Sequence, residues 1–366
     1  MEVLVNNGSK KTGKKLPYPE DAPGRDGVCI PVSSADIPGA AGRDFVFQSP
    51  AMRSIYAIAT QVSGSDASIL IYGESGTGKE LFARLIHTLS DRNARSFVPV
   101  NCGVLQGELF ADKFFGHEAG AFTGANRQYR GAFETAGNGT LFLDEVGEIP
   151  QTNQVDFLRV LEERSFRRMG GEKDIPFQAR IVAATNRPLT EMVQSGSFRA
   201  DLFYRLNVVP VSLPPLRSRK EDIPLLSEHI LSLFRHRYHK HDLRLHPSVY
   251  EVFAEYPWPG NVRELRNLME RLVLLTREPL IYPEHLPSEM RSRPGIQADS
   301  HREADLRGNE EARGFSLEAA VREAEIATIL RALKYTAGRK KKAADILGIS
   351  ERSLRYKIAE YRLELR

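Results

Sequence analysis

The sequence predicts an α/β fold, a parallel sheet flanked by helices, continued by an α-helical bundle and then by a separate all-α unit. Three observations carry this. An apolar run at residues 69–72 enters a glycine-rich turn and then a segment of helical period. Two further apolar runs, at residues 140–145 and 180–186, end in acidic or polar side chains. Residues 315–366 carry helical period around a glycine turn. Short apolar runs bounded by turn signals have the form of strands buried on both faces, and their alternation with helical segments makes the sheet parallel.

The first run is Ile69, Leu70, Ile71 and Tyr72, followed by Gly73, Glu74, Ser75, Gly76, Thr77, Gly78, Lys79 and Glu80 and then by the helical segment 81–86. Strand, loop and helix together form a phosphate-binding P-loop. Its glycines let successive N–H groups converge on phosphate oxygens, the helix N-terminus adds its dipole, and Lys79 supplies charge for the β- and γ-phosphates. ATP is the cofactor this predicts. Glu80 stands where a P-loop usually carries the Ser or Thr hydroxyl that binds magnesium, which leaves part of the metal shell unassigned.

The second run brings two acids to its tip: Asp144 to hold Mg²⁺ and Glu145 to polarise the attacking water. The third ends in Asn186, a residue that can sense the γ-phosphate from the neighbouring strand or simply turn the chain before Pro188. Between P-loop and acids lie Gly120, Ala121, Phe122, Thr123, Gly124 and Ala125. Nucleotide chemistry does not require them. Small residues keep the segment narrow, so Phe122 and Thr123 can be presented at a tip to another molecule.

These segments resemble the AAA+ domain of the bacterial enhancer-binding proteins, the activators of RNA polymerase carrying sigma-54. The likeness covers residues 47–287 and the last fifty or so. It rests on residues 73–80, 120–125, 131–145 and the stretch Trp258, Pro259, Gly260, Asn261, Val262, Arg263, Glu264 and Leu265. Glu80 is usual in that family. The resemblance implies that residues 120–125 touch sigma-54 and move when ATP is hydrolysed, and that Asn101 holds Glu145 away from water until they engage. It implies that Arg199 and Arg205 reach the nucleotide of an adjacent subunit, and that Arg263 is a second sensor from the helical lid. Guanidinium groups supplied in trans pair with the charge spread over a transferring phosphoryl group. The active form is therefore expected to be a ring, a hexamer by resemblance, built from one chain type or two.

Composition fits. A chain of 366 residues with 41% hydrophobic content can bury a large core and supports two or three domains. No run approaches the ~18 apolar residues that span a bilayer, and no apolar signal region opens the chain, so no membrane partner and a cytoplasmic location are expected. Cys29 and Cys102 are too few for a disulfide framework and read as reduced thiols. The boundaries read as an extension over 1–44, the α/β core over 45–220, the helical lid over 221–287, a linker over 288–314 and the DNA-binding unit over 315–366. The extension is rich in Gly, Pro, Lys and Asp and is read as largely disordered. It is too short for the receiver or sensing domain that many relatives place there, so control is expected from expression level, a partner protein or hetero-oligomer formation. His229, His236, His239, His241 and His246 cluster in the lid sequence, but no cysteine or carboxylate motif frames them, so they are not read as metal ligands.

Net charge is only +4, so affinity for double-stranded DNA must come from a local patch. Seven Lys and Arg lie between Arg339 and Lys357, against Asp345 and Glu351. A helix to Leu347, the turn Gly348-Ile349 and a helix capped by Ser350 form a helix-turn-helix, similar to the C-terminal domain of these activators and of the nucleoid protein Fis. Arg352, Ser353, Arg355, Tyr356 and Lys357 are the recognition-helix candidates, and Lys340, Lys341 and Lys342 the phosphate contacts. Leu354 and Ile358 face the core. The combined reading is a DNA-tethered ATPase that opens sigma-54 promoters. An unfoldase-type remodeller would lack the DNA-reading tail, and a repressor keeping the fold only for assembly would have lost Lys79, Asp144, Glu145, Arg199 or Arg205.

Overall fold

The computed structural model describes residues 27–32, 44–104, 107–291 and, in the C-terminal region, 329, 331–333, 336, 340–347, 351, 354 and 357. Two compact units divide the chain, Met1–Pro294 and Gly295–Arg366. Among the described residues no helix is long and apolar enough to cross a membrane.

In the larger unit, β1 (Val28–Pro31) pairs antiparallel with β2 (Asp44–Phe47). Helix α1 (Pro50–Val62) follows, started by Pro50 and by Ser49, whose hydroxyl accepts the Met52 N–H. Next come β3 (Ile69–Tyr72), α2 (Lys79–Leu89), β4 (Phe97–Asn101) and α3 (Glu108–Phe115). A short hairpin of β5 (Gly116–His117) and β6 (Tyr129–Arg130) leads to α4 (Ala132–Ala136), β7 (Thr140–Asp144) and α5 (Gln151–Glu163). A second hairpin, β8 (Ser165–Phe166) and β9 (Ile175–Pro176), precedes β10 (Arg180–Thr185), α6 (Leu189–Gln194), α7 (Ala200–Leu206) and β11 (Val209–Ser212). The lid contains α8 (Asp222–Arg237), α9 (Pro247–Glu255), α10 (Asn261–Leu275) and α11 (Ser288–Arg291).

The central sheet is parallel, in the order β11-β3-β10-β7-β4. Its two faces are read off by parity. Ile69, Ile71, Phe142, Val182 and Ala184 pack with α1 and α2, while Leu70, Leu141, Leu143, Ile181 and Ala183 face the aromatic layer of Phe110, Phe114, Phe133 and Phe157. Alternate side chains point to opposite faces, so the three central strands β3, β10 and β7 are buried on both, while the edge strands β11 and β4 are partly exposed. The sequence neighbours β3 and β4 are separated by β10 and β7, and such a switch leaves a crevice at the carboxyl ends of the strands.

The lid has its own core around the fully buried Trp258, whose Nε1 donates to the Phe253 carbonyl at 2.8 Å. Asp222 bolts it to the sheet domain: buried, it accepts the Ser49 N–H at 2.7 Å and the Ser49 hydroxyl at 2.9 Å.

Two expectations change. Val28–Pro31 is a strand inside the segment read as largely disordered, because Val28 and Ile30 pack onto the core beside α1 while Cys29 packs onto the lid. The segment read as a linker begins with helix α11, whose Met290 is buried against the lid.

In the smaller unit, Ala343 and Ala344 of the helix Lys340–Leu347 are buried with Ile329, Leu333 and Leu354. Lys340 and Lys342 are exposed. Arg352, Ser353, Arg355 and Tyr356 lie outside the described residues, as does Ile358.

Candidate functional site

The P-loop folds as its composition dictates. Gly76 and Gly78 have φ of 80° and 103°, conformations that L side chains resist, and Gly78 is the N-cap of α2. Lys79 is buried, donates to the Gly73 carbonyl at 2.9 Å and lies 3.5 Å from Glu145. Thr77 donates its hydroxyl to the Glu74 carbonyl at 2.8 Å. Glu80 points to Arg84, one turn along α2, at 2.8 Å.

Asp144 ends β7, and Glu145 follows with φ of 52°, a left-handed backbone that a bulky residue tolerates only when its surroundings hold it. Burial, and next the neighbouring Glu145, push the Asp144 carboxyl above the ordinary aspartate range. Glu145 accepts the Asn186 N–H at 3.3 Å, so Asn186 meets the acid through its backbone. Asn101 ends β4 directly opposite Asp144 in register. Its Oδ1 accepts the Gly103 N–H at 2.8 Å, and Glu145 is held by Lys79 and Asn186 instead.

From the lid, Arg263 donates to the Ser75 hydroxyl at 2.7 Å. Three further residues on this side escaped the sequence reading. Arg217 pairs with Glu74 at 2.5 Å, and Asn261 donates to the same carboxylate at 3.2 Å and to the Ser75 carbonyl at 3.0 Å. These hydrogen bonds, Arg217 first, lower the Glu74 carboxyl to about 2. Buried Arg219 donates to the Thr77 carbonyl at 3.0 Å. Asn261 has φ of 52°, and its place in the Trp258–Leu265 stretch was the available signal.

Residues 120–125 form the tip between β5 and β6. Gly120 and Gly124 have φ of 83° and 104°, and the Gly120 N–H bonds the Ala125 carbonyl at 2.8 Å, closing the loop. Phe122 is 40% exposed, resting one edge on His117, and Thr123 is exposed. Ala121 lies against Gly170 of the second hairpin. Arg168 of that hairpin pairs with Glu118 at the loop's base and with Glu134 of α4 at 2.8 Å. Arg199 and Arg205 are exposed, Arg199 pairing with Asp201 at 2.7 Å and Arg205 donating to the Leu161 carbonyl at 2.9 Å.

Three known families match successive segments of the chain. The sigma-54 interaction domain matches residues 45–212, the AAA+ ATPase lid domain 217–303, and the Fis family of bacterial regulatory proteins 320–361. The regulatory protein AtoC of Escherichia coli is 43% identical over 86% of this chain and 67% of its own length. The chain belongs to the sigma-54-dependent transcriptional activators. It is an AAA+ ATPase that couples hydrolysis to transcription activation and carries a Fis-type DNA-binding domain. This activator is also 40% identical to the nitrogen fixation protein AnfA of Azotobacter vinelandii, over 87% of the chain and 57% of that protein. The solved structure of NtrX from Brucella abortus in complex with ADP superposes with a TM-score of 0.66 at 33% identity, covering 87% of this chain and 69% of that one. NtrX has also been solved with ATP, at a TM-score of 0.65.

Proposed function

We propose that this activator works in the cytoplasm as a hexameric ring on upstream DNA, and that ATP hydrolysis drives residues 120–125 against sigma-54 to convert closed promoter complexes to open ones. The reading divides the chain into an extension (1–44), an ATPase core (45–220), a lid (221–287), a linker (288–314) and a DNA-binding domain (315–366). Lys79 and the N–H groups of residues 73–80 bind the phosphates, and Arg263 closes on them from the lid. Asp144, a strand-end carboxylate beside the P-loop lysine, is the fitting ligand for Mg²⁺, which when bound neutralises charge on the β- and γ-phosphate oxygens. Glu145 orients the attacking water and accepts its proton. Asn101, opposite Asp144, exchanges its Gly103 partner for Glu145 in the resting state of the cycle. Arg199 caps α7 and Arg205 lies on it with the exposed Tyr204, a surface suited to a neighbouring protomer's nucleotide.

One observation carries the coupling. Arg168 links Glu118, under the loop, to Glu134, on the helix that leads into the strand of Asp144, so a shift at the acids is transmitted to Phe122 and Thr123. The test is promoter opening in purified sigma-54 transcription with Thr123→Ala. The variant is expected to bind nucleotide like the parent and fail to open the promoter; normal opening would remove Thr123 from the mechanism.

A further inference from the structure

The N-terminal strand pair meets the lid at three side chains that the nucleotide site does not use. Cys29 lies on β1, Asp44 opens β2 and His229 lies on α8. Asp44 pairs with Pro31, two residues beyond Cys29, so thiol and carboxylate share one face of the strand pair. Cys29 and Val46 pack into the lid core that α8 helps to form, and this seats His229 over that face. One donor atom from each residue, thiol sulfur, carboxylate oxygen and imidazole nitrogen, lies within 4.8 Å of the other two.

His229 makes the grouping informative. Only 9% of its side chain is exposed, and its buried Nε2 has no hydrogen-bond partner. Leaving such an atom unsatisfied costs about 1–3 kcal/mol. Asp44 Oδ2 stands 3.5 Å away and does not hydrogen-bond to it. Burial lowers the imidazole's proton affinity, and the neutral ring is the form that ligates metals. A tetrahedral ion with bonds of about 2.0–2.3 Å sets its donors about 3.3–3.8 Å apart, a range that contains the His229–Asp44 separation. One thiolate and one carboxylate also balance a divalent charge.

We propose that Cys29, Asp44 and His229 form a binding site for a divalent transition metal of borderline softness, Zn²⁺ being the best match to a mixed sulfur, oxygen and nitrogen set. The fourth position belongs to water. Burial and Asp44 hold the Cys29 thiol up at about 12 in the metal-free protein, so binding forms the metal–sulfur bond and releases the thiol proton to solvent. The ion clips the strands ahead of α1 to the lid helix α8, and a ligand that binds only the folded chain stabilises it by mass action.

The probe is Co²⁺ added to the chelator-stripped full chain without nucleotide. A thiolate-to-cobalt charge-transfer band saturating at one ion per chain, displaced by Zn²⁺, is expected. It should persist in Cys102→Ala and disappear in Cys29→Ser and His229→Gln, each checked for folding by circular dichroism. No band in the parent, or a band that survives Cys29→Ser, overturns the site. Should Cys29→Ser not fold, alkylation of the parent decides: Zn²⁺ should slow labelling of Cys29 at least tenfold, and an unchanged rate refutes the proposal.

Discussion

The roles we propose for Lys79, Asp144 and Glu145 ask for few side chains, and the surroundings of each set it closely. The Asp144 carboxyl is pushed up by burial and by Glu145. A group whose folded pKa is raised favours its protonated form, so any stability it contributes is present at low pH and lost as pH rises through the folded value. Mg²⁺ needs the opposite, ionised form. Its apparent affinity in turnover is therefore expected to weaken on acidification while the pH is still above the ordinary aspartate range. Magnesium titrations of ATPase rate across a pH series check this, and a half-saturation point flat through the weakly acidic range contradicts it. Glu145→Gln keeps the shape and removes the base we propose: ATP binding should survive while turnover falls by about 10²- to 10⁴-fold.

Among the elements, the P-loop and the start of α10 approach each other closely. The Gly76 carbonyl accepts the Val262 N–H at 3.0 Å, and a Cβ on Gly76 would collide with the Gly260 carbonyl. With φ of 80°, Gly76→Ala adds strain of about 1–3 kcal/mol on top of the clash. Gly64 is the control, since a Cβ there meets nothing within 4 Å. The chain has one tryptophan, Trp258 in the lid core, so its fluorescence reports lid unfolding. In urea the Gly76→Ala midpoint is expected to fall and nucleotide affinity with it, while Gly64→Ala stays within error of the parent. Equal midpoints for all three proteins would show that the P-loop does not brace the lid.

For the whole molecule, ATPase and DNA-binding functions reside in separate compact units. The first should therefore work without the second when protein is concentrated enough to assemble. Truncation after Gly314 is expected to abolish site-specific DNA binding and spare ATP turnover at high protein concentration. Filter binding and phosphate release measure the two, and unchanged enhancer binding by the truncated chain would refute the assignment. In the intact chain, DNA affinity should fall steeply with salt, since Lys340 and Lys342 offer exposed charge for phosphates.

Contiguous residues determined most of what the sequence revealed on its own. Strand, glycine turn and helix define the P-loop within twelve residues, because phosphate binding uses local backbone N–H groups and one lysine. The acids at 144 and 145 and the tip at 120–125 are legible for the same reason. Tertiary structure alone decided which distant groups complete the site: Arg217 and Asn261 on Glu74, and Arg219 on Thr77. It also decided that His229, one of five lid histidines, sits with Cys29 and Asp44. No local pattern encodes such meetings. They follow from how the lid core packs against the sheet domain, where burial of Trp258 and its neighbours draws together segments more than 140 residues apart in the chain.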